Sequence, residues 1–150
     1  MRFDAYARTT LLIALAVGLF AGCSTAGNGS EGLGAYPKSM GAADEGSAIQ
    51  ALRTIATAQT QAKAMRNSYA DFDTLVQLGF LDRRFTGTNP NLRGYRFAVT
   101  ASENEYSVTA DPQPTETAPA GGSRHFYLDS TGNGIHVNPS QPATRQDPLL

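Results

Sequence analysis

The sequence has few of the residues that stabilise small proteins through covalent links or metal ions. Its 150 residues include one cysteine, Cys23, and two histidines, His125 and His136. A single cysteine cannot form a disulfide within the chain, and zinc sites in proteins need three or four side-chain ligands. The fold must therefore be stable without a disulfide, and the two histidines do not make a zinc site by themselves.

A strong charge of either sign is also missing. The chain has 12 Lys and Arg residues against 13 Asp and Glu residues, which gives a formal net charge of −1 at pH 7. The basic residues form no cluster, whereas proteins that bind nucleic acid carry a basic patch that neutralises phosphates. We therefore expect no nucleic-acid partner.

Motifs of known catalytic sites are absent as well. The sequence contains no nucleophile motif and no glycine loop of the phosphate-binding type. Ser123, His125 and Asp129 have the residue types of a catalytic triad, but they are too close along one segment to act in series as nucleophile, base and orienting group. We predict no catalytic residues, no cofactor and no enzymatic activity.

The N-terminal segment has the three parts of a secretory signal. Arg2 and Arg8 precede an apolar stretch from Leu11 to Phe20, and two small residues follow it. This stretch is shorter than the roughly 18 apolar residues that a membrane-spanning helix needs. Ordinary signal cleavage and an uncleaved anchor are two interpretations of this segment, and the cysteine that follows it suggests a third.

The run Leu19-Phe20-Ala21-Gly22-Cys23 resembles the lipobox of bacterial lipoproteins. The resemblance implies a signal peptide at residues 1–22, cleavage before Cys23 and lipid on that cysteine, which would attach the protein to the membrane. Several acyl chains hold a protein far more firmly than one. The resemblance implies the cell envelope as location. Ser24 follows the cysteine, at the position where an aspartate in lipoproteins would oppose export to the outer membrane. In a host with two membranes, the expected location is the periplasmic face of the outer membrane.

Composition divides the remainder into three segments. Residues 23–46 are rich in Gly, Ser and Ala, with too few large apolar residues to order themselves, and predict a lipidated flexible tether. Residues 47–138 are periodic and predict one folded domain. Residues 139–150 contain Pro139, Pro142 and Pro148 and predict a disordered tail.

Two helices are predicted at the start of this domain. Ser47 and Gln50 have the spacing of a capping box, which indicates a helix from Ala48 to Arg66. Asp71 or Asp73 can cap a second, short helix that ends at Gly79. Apolar residues of the long helix recur at steps of three and four, namely Ile49, Leu52, Ile55 or Ala56, Ala62, Met65 and Tyr69. Because this stripe is rich in alanine, we expect it to pack on a sheet rather than on a membrane.

Alternation with a period of two then predicts a four-stranded antiparallel sheet. The first hairpin joins residues 95–100 to residues 106–110. The second joins residues 124–129 to residues 134–137, with Phe126 opposite Val137 and Leu128 opposite Ile135, so that all four apolar side chains lie on one face. The prolines between Asp111 and Ser123 cannot donate to a sheet, so this segment is predicted as a loop. The predicted fold class is α+β, with one long N-terminal helix on this sheet.

The order of these elements resembles the globular head of type IV pilins and type II secretion pseudopilins. The resemblance covers about residues 47–138 and is carried by five runs: Leu52 to Gln59, Leu78-Gly79-Phe80-Leu81, Gly94-Tyr95-Arg96-Phe97, Tyr106 to Pro112, and Arg124 to Asp129. Proteins of that class begin with a long hydrophobic helix that anchors the subunit and packs in the filament. Here a lipobox and a Gly-rich segment stand in that place, so the resemblance implies a lipid-anchored head that contacts other envelope proteins.

A few residues are weak candidates for metal binding. His125 and His136 would lie diagonally on the face opposite the apolar one, where we expect exposed or partner-facing side chains. Asp129 and Asn133 flank a turn with oxygen ligands, and some pseudopilin heads bind calcium in a nearby loop. Asp, Ser and Asn also form such turns by local hydrogen bonds alone. We therefore predict no metal site and name these four residues as its only candidates.

Two functions remain from the sequence. The first is a non-enzymatic structural or interaction protein, associated with a secretion or pilus system through an unidentified envelope partner. The second is a small periplasmic lipoprotein module that binds a ligand or an ion such as Ca²⁺ or Zn²⁺.

Overall fold

A computed structural model describes residues 38–114 and 124–150. They form a long helix α1 (Lys38–Arg66), a short helix α2 (Phe72–Gln77), a 3₁₀ helix (Arg83–Phe85) and five strands: β1 (Asn91–Leu92), β2 (Tyr95–Ala101), β3 (Tyr106–Pro112), β4 (His125–Asp129) and β5 (His136–Asn138). The strands make one antiparallel sheet in the order β1-β2-β3-β4-β5. The predicted α+β class with one long helix and an antiparallel sheet is confirmed.

The sheet has five strands rather than the predicted four, because β1 was missed. Leu92 pairs with Tyr95 across a two-residue turn of Arg93 and Gly94, whose φ angles are 47° and 75°. Positive φ at both positions matches the tight turn whose twist suits antiparallel strands. A strand of two residues is too short to show an alternating pattern, so its pairing is visible only in the tertiary structure.

Helix α1 begins at Lys38, so the predicted start at Ala48 and the predicted tether over residues 38–46 are wrong. Ser47 is not a cap: it lies within the helix, and its Oγ donates to the carbonyl of Ala43 at 2.9 Å. A tertiary contact holds the early turns, because the Glu45 carboxylate accepts hydrogen bonds from the Arg124 backbone N–H at 3.0 Å and from its guanidinium at 2.8 and 3.0 Å. The predicted end at Arg66 is confirmed.

The predicted core between the helix and the sheet is confirmed. Five side chains chosen from the sequence are fully buried, namely Leu52 and Ile55 on α1 and Phe97, Val108 and Phe126 on the sheet. Met65 was predicted in the same stripe but is 62% exposed. At 3.6 residues per turn, Met65 is rotated by about 140° from Leu52 around the helix, which turns it away from the sheet.

The short helix α2 also follows the prediction. The Asp71 carboxylate caps it by accepting a hydrogen bond from the Thr74 backbone N–H at 2.8 Å. Gly79 follows its end with a φ of 76°, a conformation that glycine adopts without strain. Leu81 and Phe85, two of the predicted core residues beyond this helix, are buried, and Phe80 is partly buried.

The second hairpin has the predicted register, with Phe126 paired to Val137. Beyond it, the predicted disordered tail is wrong, because residues 139–150 form an ordered C-terminal segment. The Val137 N–H donates to the carbonyl of Pro148 at 2.9 Å, and the Leu150 N–H donates to that of Ile135 at 2.8 Å. The segment thus occupies the edge of β5, which would otherwise offer unpaired backbone groups. Proline content alone could not reveal these long-range partners.

Candidate functional site

Two parts of the predicted functional surface lie outside the described residues. Cys23, the predicted lipidation site, belongs to residues 1–37, and most of the predicted loop from Asp111 to Ser123 belongs to residues 115–123. The predicted start of this loop is wrong, because Asp111 and Pro112 pair with Arg96 and Tyr95 as the end of β3. Three other candidates, His125, His136 and Asp129, lie on the outer face of the sheet, the face opposite α1, and Asn133 lies in the connection from β4 to β5.

His136 on this outer face is buried rather than exposed. It pairs with Tyr127 across the β4–β5 ladder, with ring centroids 6.1 Å apart, and it is 7% exposed. Its Nδ1 lies 2.6 Å from the carbonyl oxygen of Asp147. Because a carbonyl oxygen only accepts hydrogen bonds, Nδ1 carries the hydrogen and donates a hydrogen bond to the backbone carbonyl of Asp147. The prediction of an exposed His136 is wrong, because the C-terminal segment covers it.

His125 forms a cross-strand pair with a carboxylate. Its Nδ1 lies 2.7 Å from Oδ1 of Asp111, and both side chains are partly buried. These two residues stand on neighbouring strands, at the two ends of the connection from β3 to β4. The pair therefore joins both ends of that connection. Ser123, the residue that would supply the nucleophile of a triad with this histidine, lies outside the described residues.

The Asp129 carboxylate is almost fully buried, and four donors surround it. Oδ1 accepts from the backbone N–H of Thr131 at 2.9 Å and from its hydroxyl. Oδ2 accepts from Nε of Arg145 at 2.6 Å and from the hydroxyl of Tyr127 at 3.2 Å. Burial by itself raises the pKa of Asp129, but the hydrogen bonds from Thr131 and Arg145 outweigh burial and lower it. Asp129 thus ties the β4 turn to the C-terminal segment.

These contacts bear on the candidate metal ligands. Calcium takes six to eight oxygen ligands, so an ion at the Asp129 turn would have to displace Arg145 and Thr131 from the carboxylate. Within residues 38–114 and 124–150, no group of three or more His, Cys, Asp or Glu side chains is placed to hold a metal ion. His125, His136 and Asp129 are each joined to another protein group, and Asn133 is exposed.

The structure also shows a groove that the sequence did not predict, between α1 and the β1–β2 hairpin. Its volume is about 860 Å³, and it is open to solvent. Its bottom is apolar, with the buried side chains Ala48, Phe85 and Phe97 and the partly buried Leu92. The wall on the helix side consists of small or polar residues of α1 between Ala43 and Thr54. Because all of these side chains except Gln50 are short, the helix does not fill the groove.

The rim of the groove carries more positive than negative charge. Arg84 and Arg93 line it together with the single carboxylate of Asp82. Nε of Arg84 lies 3.2 Å from Oδ1 of Asp82, with both side chains more than half exposed. Arg93 takes part in none of the ion pairs within the described parts of the chain. The rim is therefore suited to an anionic group.

Sequence reasoning also missed Gln59, the largest fully buried polar side chain in the described structure. Its Nε2 donates to the carbonyl of Ala70 at 2.6 Å, and its Oε1 accepts from the N–H of Ala70 at 3.0 Å. One amide thus satisfies both backbone groups of a residue between α1 and α2. A signal was present, because Gln59 is in helical phase with Leu52, Ile55 and Ala62.

No helix in the described part of the chain is both long and apolar enough to cross a membrane. Compared with known proteins, the sequence matches no protein-family model and no curated protein.

Proposed function

We propose that this chain is a lipid-anchored protein of the bacterial cell envelope with a pilin-like or pseudopilin-like head. It acts by binding other proteins, in association with a secretion or pilus system, and not by catalysis. The observation that carries the proposal is a combination: a lipobox-like run ends in the only cysteine, and a single long helix on one face of an antiparallel sheet follows it.

The composition of α1 supports anchoring by lipid rather than by the helix. Its first two turns include Lys38, Ser39, Asp44 and Glu45, where pilin-class subunits have a hydrophobic helix. A helix with these residues is poorly suited to the hydrocarbon core, where charged side chains are expensive. The lipobox-like run supplies the alternative anchor at Cys23.

The contacts on the outer face support a role in binding rather than in chemistry. The groups with catalytic potential there are held in structural contacts: His125 with Asp111, His136 with Asp147, and Asp129 with Arg145. Loops on a rigid scaffold commonly carry recognition, and in the sequence the connection between Pro112 of β3 and His125 of β4 is next to the pair of His125 with Asp111.

Acyl labelling of the full chain tests the anchor. Wild-type protein should incorporate labelled fatty acid and sediment with membranes, whereas Cys23→Ser should lose the label and either be released or accumulate as an uncleaved precursor. Ser24→Ala is the matched control, because it changes the neighbouring residue and keeps the cysteine. Equal labelling of wild type and Cys23→Ser would refute lipidation at this residue.

Photo-crosslinking in cells tests the interaction role. A photoreactive residue at an exposed position of the full chain should give defined adducts with envelope proteins, and these adducts should disappear when Cys23→Ser removes the anchor. Adducts that are the same with and without the anchor would contradict a function that depends on placement at the membrane.

A further inference from the structure

We infer that the groove between α1 and the β1–β2 hairpin binds an acidic segment of a partner protein, with a large apolar side chain on the groove bottom and a neighbouring carboxylate at Arg84 and Arg93. This inference deepens the proposed interaction role and rests on it.

The open shape and the apolar part of the groove lining favour an apolar side chain of a larger chain. Phe85 and Phe97 lie almost fully buried beneath the groove, and the partly buried Leu92 and Ala51 leave apolar surface open to water in this open concavity. A side chain placed there would remove this surface from water, which is the main favourable contribution to most protein association. Pockets for small molecules enclose most of the ligand, whereas this groove is open and suits a segment of a larger chain.

The charged side chains at the rim favour a negatively charged group on the partner. The groove lining contains two guanidinium groups and one carboxylate. The ion pair of Arg84 with Asp82 is highly exposed. Exposed pairs of this kind contribute little to stability, so Arg84 can exchange Asp82 for an incoming carboxylate at small cost. Guanidinium groups bind carboxylates through paired, charge-assisted hydrogen bonds.

Arginine is an unusual residue at position 93, because the backbone there is left-handed. The φ of Arg93 is 47° and lies in the left-handed region, which asparagine, aspartate and glycine adopt more readily than arginine. The hairpin turn requires a positive φ whichever residue stands there, and arginine is an unfavourable residue for it. The side chain is exposed and outside every ion pair of the described residues, so its contacts in the domain do not account for arginine at this turn.

Two other anionic partners fit less well. Anionic membranes are recognised by clusters of about four to eight basic side chains, and nucleic-acid binding proteins commonly contact about six to ten phosphates. The groove has two guanidinium groups and a concave apolar bottom, which match one carboxylate beside one apolar side chain. A protein segment carries both groups together.

The test uses the full-length, lipidated chain in detergent micelles and random-sequence peptides displayed on phage. Peptides selected by wild type should be enriched in Asp and Glu next to Leu, Phe or Met. Synthetic copies should bind about tenfold more weakly to Thr54→Trp, a ratio that corresponds to ~1.4 kcal/mol. Thr57→Trp should bind like wild type. Both threonines are exposed on α1 and bond to the carbonyl four residues earlier, but only Thr54 lines the groove.

Charge variants make the test specific for the rim. Arg93→Glu should weaken binding of the acidic peptides by about tenfold or more, whereas Arg83→Glu should not. Arg83→Glu changes the net charge by the same amount as Arg93→Glu, but Arg83 lies outside the groove lining. Arg93→Asn should raise the melting temperature slightly, because asparagine tolerates the left-handed backbone better, and still weaken binding. This opposite pair of effects cannot come from loss of folding.

Several outcomes would overturn the inference. They are selection of no peptides or of basic peptides, equal binding to Thr54→Trp and Thr57→Trp, and binding of anionic phospholipid vesicles that is lost in Arg93→Glu while no peptide binds. In each of these cases, acyl labelling at Cys23 and anchor-dependent crosslinking would still test the proposed function independently of the groove. Failure of the groove is therefore distinguishable from failure of the proposed function.

Discussion

Replacing Gln59 with leucine should destabilise the domain strongly although leucine is apolar and similar in size. The Gln59 side chain is fully buried, and it alone joins the middle of α1 to the backbone of Ala70 through two hydrogen bonds. Leucine keeps most of the volume and removes both bonds. The N–H and the carbonyl of Ala70, which is 7% exposed, would then lose their partner.

The magnitude follows from these two groups. A buried donor or acceptor without a partner costs about 1–3 kcal/mol, so the loss of both partners in Gln59→Leu should lower the free energy of unfolding by about 2–6 kcal/mol. A small domain has only about 5–15 kcal/mol in total. Because 1 kcal/mol shifts the melting temperature of such a domain by roughly 4–8 °C, we expect a decrease of at least about 8 °C.

Thermal and urea unfolding, followed by circular dichroism, would measure this effect. Gln61→Leu is the matched control, because Gln61 is an exposed glutamine on the same helix and its replacement should change stability by about 0.5 kcal/mol or less. If Gln59→Leu melted within a few degrees of Gln61→Leu, the two hydrogen bonds to Ala70 would not contribute as argued.

Gln59→Glu separates hydrogen bonding from packing. A protonated carboxyl group has one donor and one acceptor, like the amide, but an ionised carboxylate cannot donate to the Ala70 carbonyl. Burial should raise the pKa of the new carboxyl group. Stability from the protonated form is therefore present below the unfolded pKa of about 4.3 and is lost as the pH rises through the folded pKa. The melting temperature should be close to wild type near pH 4 and well below it at pH 7.

Phe126→Ala should lower the free energy of unfolding by about 3–5 kcal/mol, because the side chain is fully buried and its loss leaves a cavity. Thr57→Ala on the exposed helix surface is the control in the same denaturant titration. The pKa of Asp129 is lowered because hydrogen bonds from Thr131 and Arg145 outweigh the opposing effect of burial. Its stabilising contribution is therefore present above the unfolded pKa of about 3.9 and is lost as the pH falls through the lower folded pKa, so the Leu150 amide should lose its protection against hydrogen exchange in acid, relative to the rate of an unstructured amide at the same pH. Asp129→Asn should make this exchange fast already at pH 7, and unchanged exchange would show that Asp129 does not hold the C-terminal segment.

The parts of the fold that could be predicted are those with a repeating local pattern. Leu52 and Ile55 follow the helical period, and Phe97, Val108 and Phe126 follow the strand period. The residues that face the core are therefore evident before any contact is known. The caps at Asp71 and Gly79 were predictable for a related reason, because a cap depends on groups within a few residues along the chain.

The candidate site was less predictable because its geometry depends on long-range contacts. Thr54 of α1 and Arg93 of the β1–β2 turn line the same groove, although they lie far apart in the sequence. The histidines were visible as candidates, yet only the structure joins His125 to Asp111 and His136 to Asp147. Neither pair follows from periodicity or composition.

Local spacing along the chain was enough to predict the α+β class, the phase of the helix stripe and the register of the second hairpin. It also led to the expectation of lipid at Cys23, which stays a prediction. The extension of α1 back to Lys38 depends instead on a tertiary contact, that of Glu45 with Arg124. Tertiary contacts also order residues 139–150, through backbone hydrogen bonds to β5 and the ion pair of Asp129 with Arg145. In both segments the local composition favours disorder, and distant partners provide the free energy that overcomes the entropy of ordering the chain.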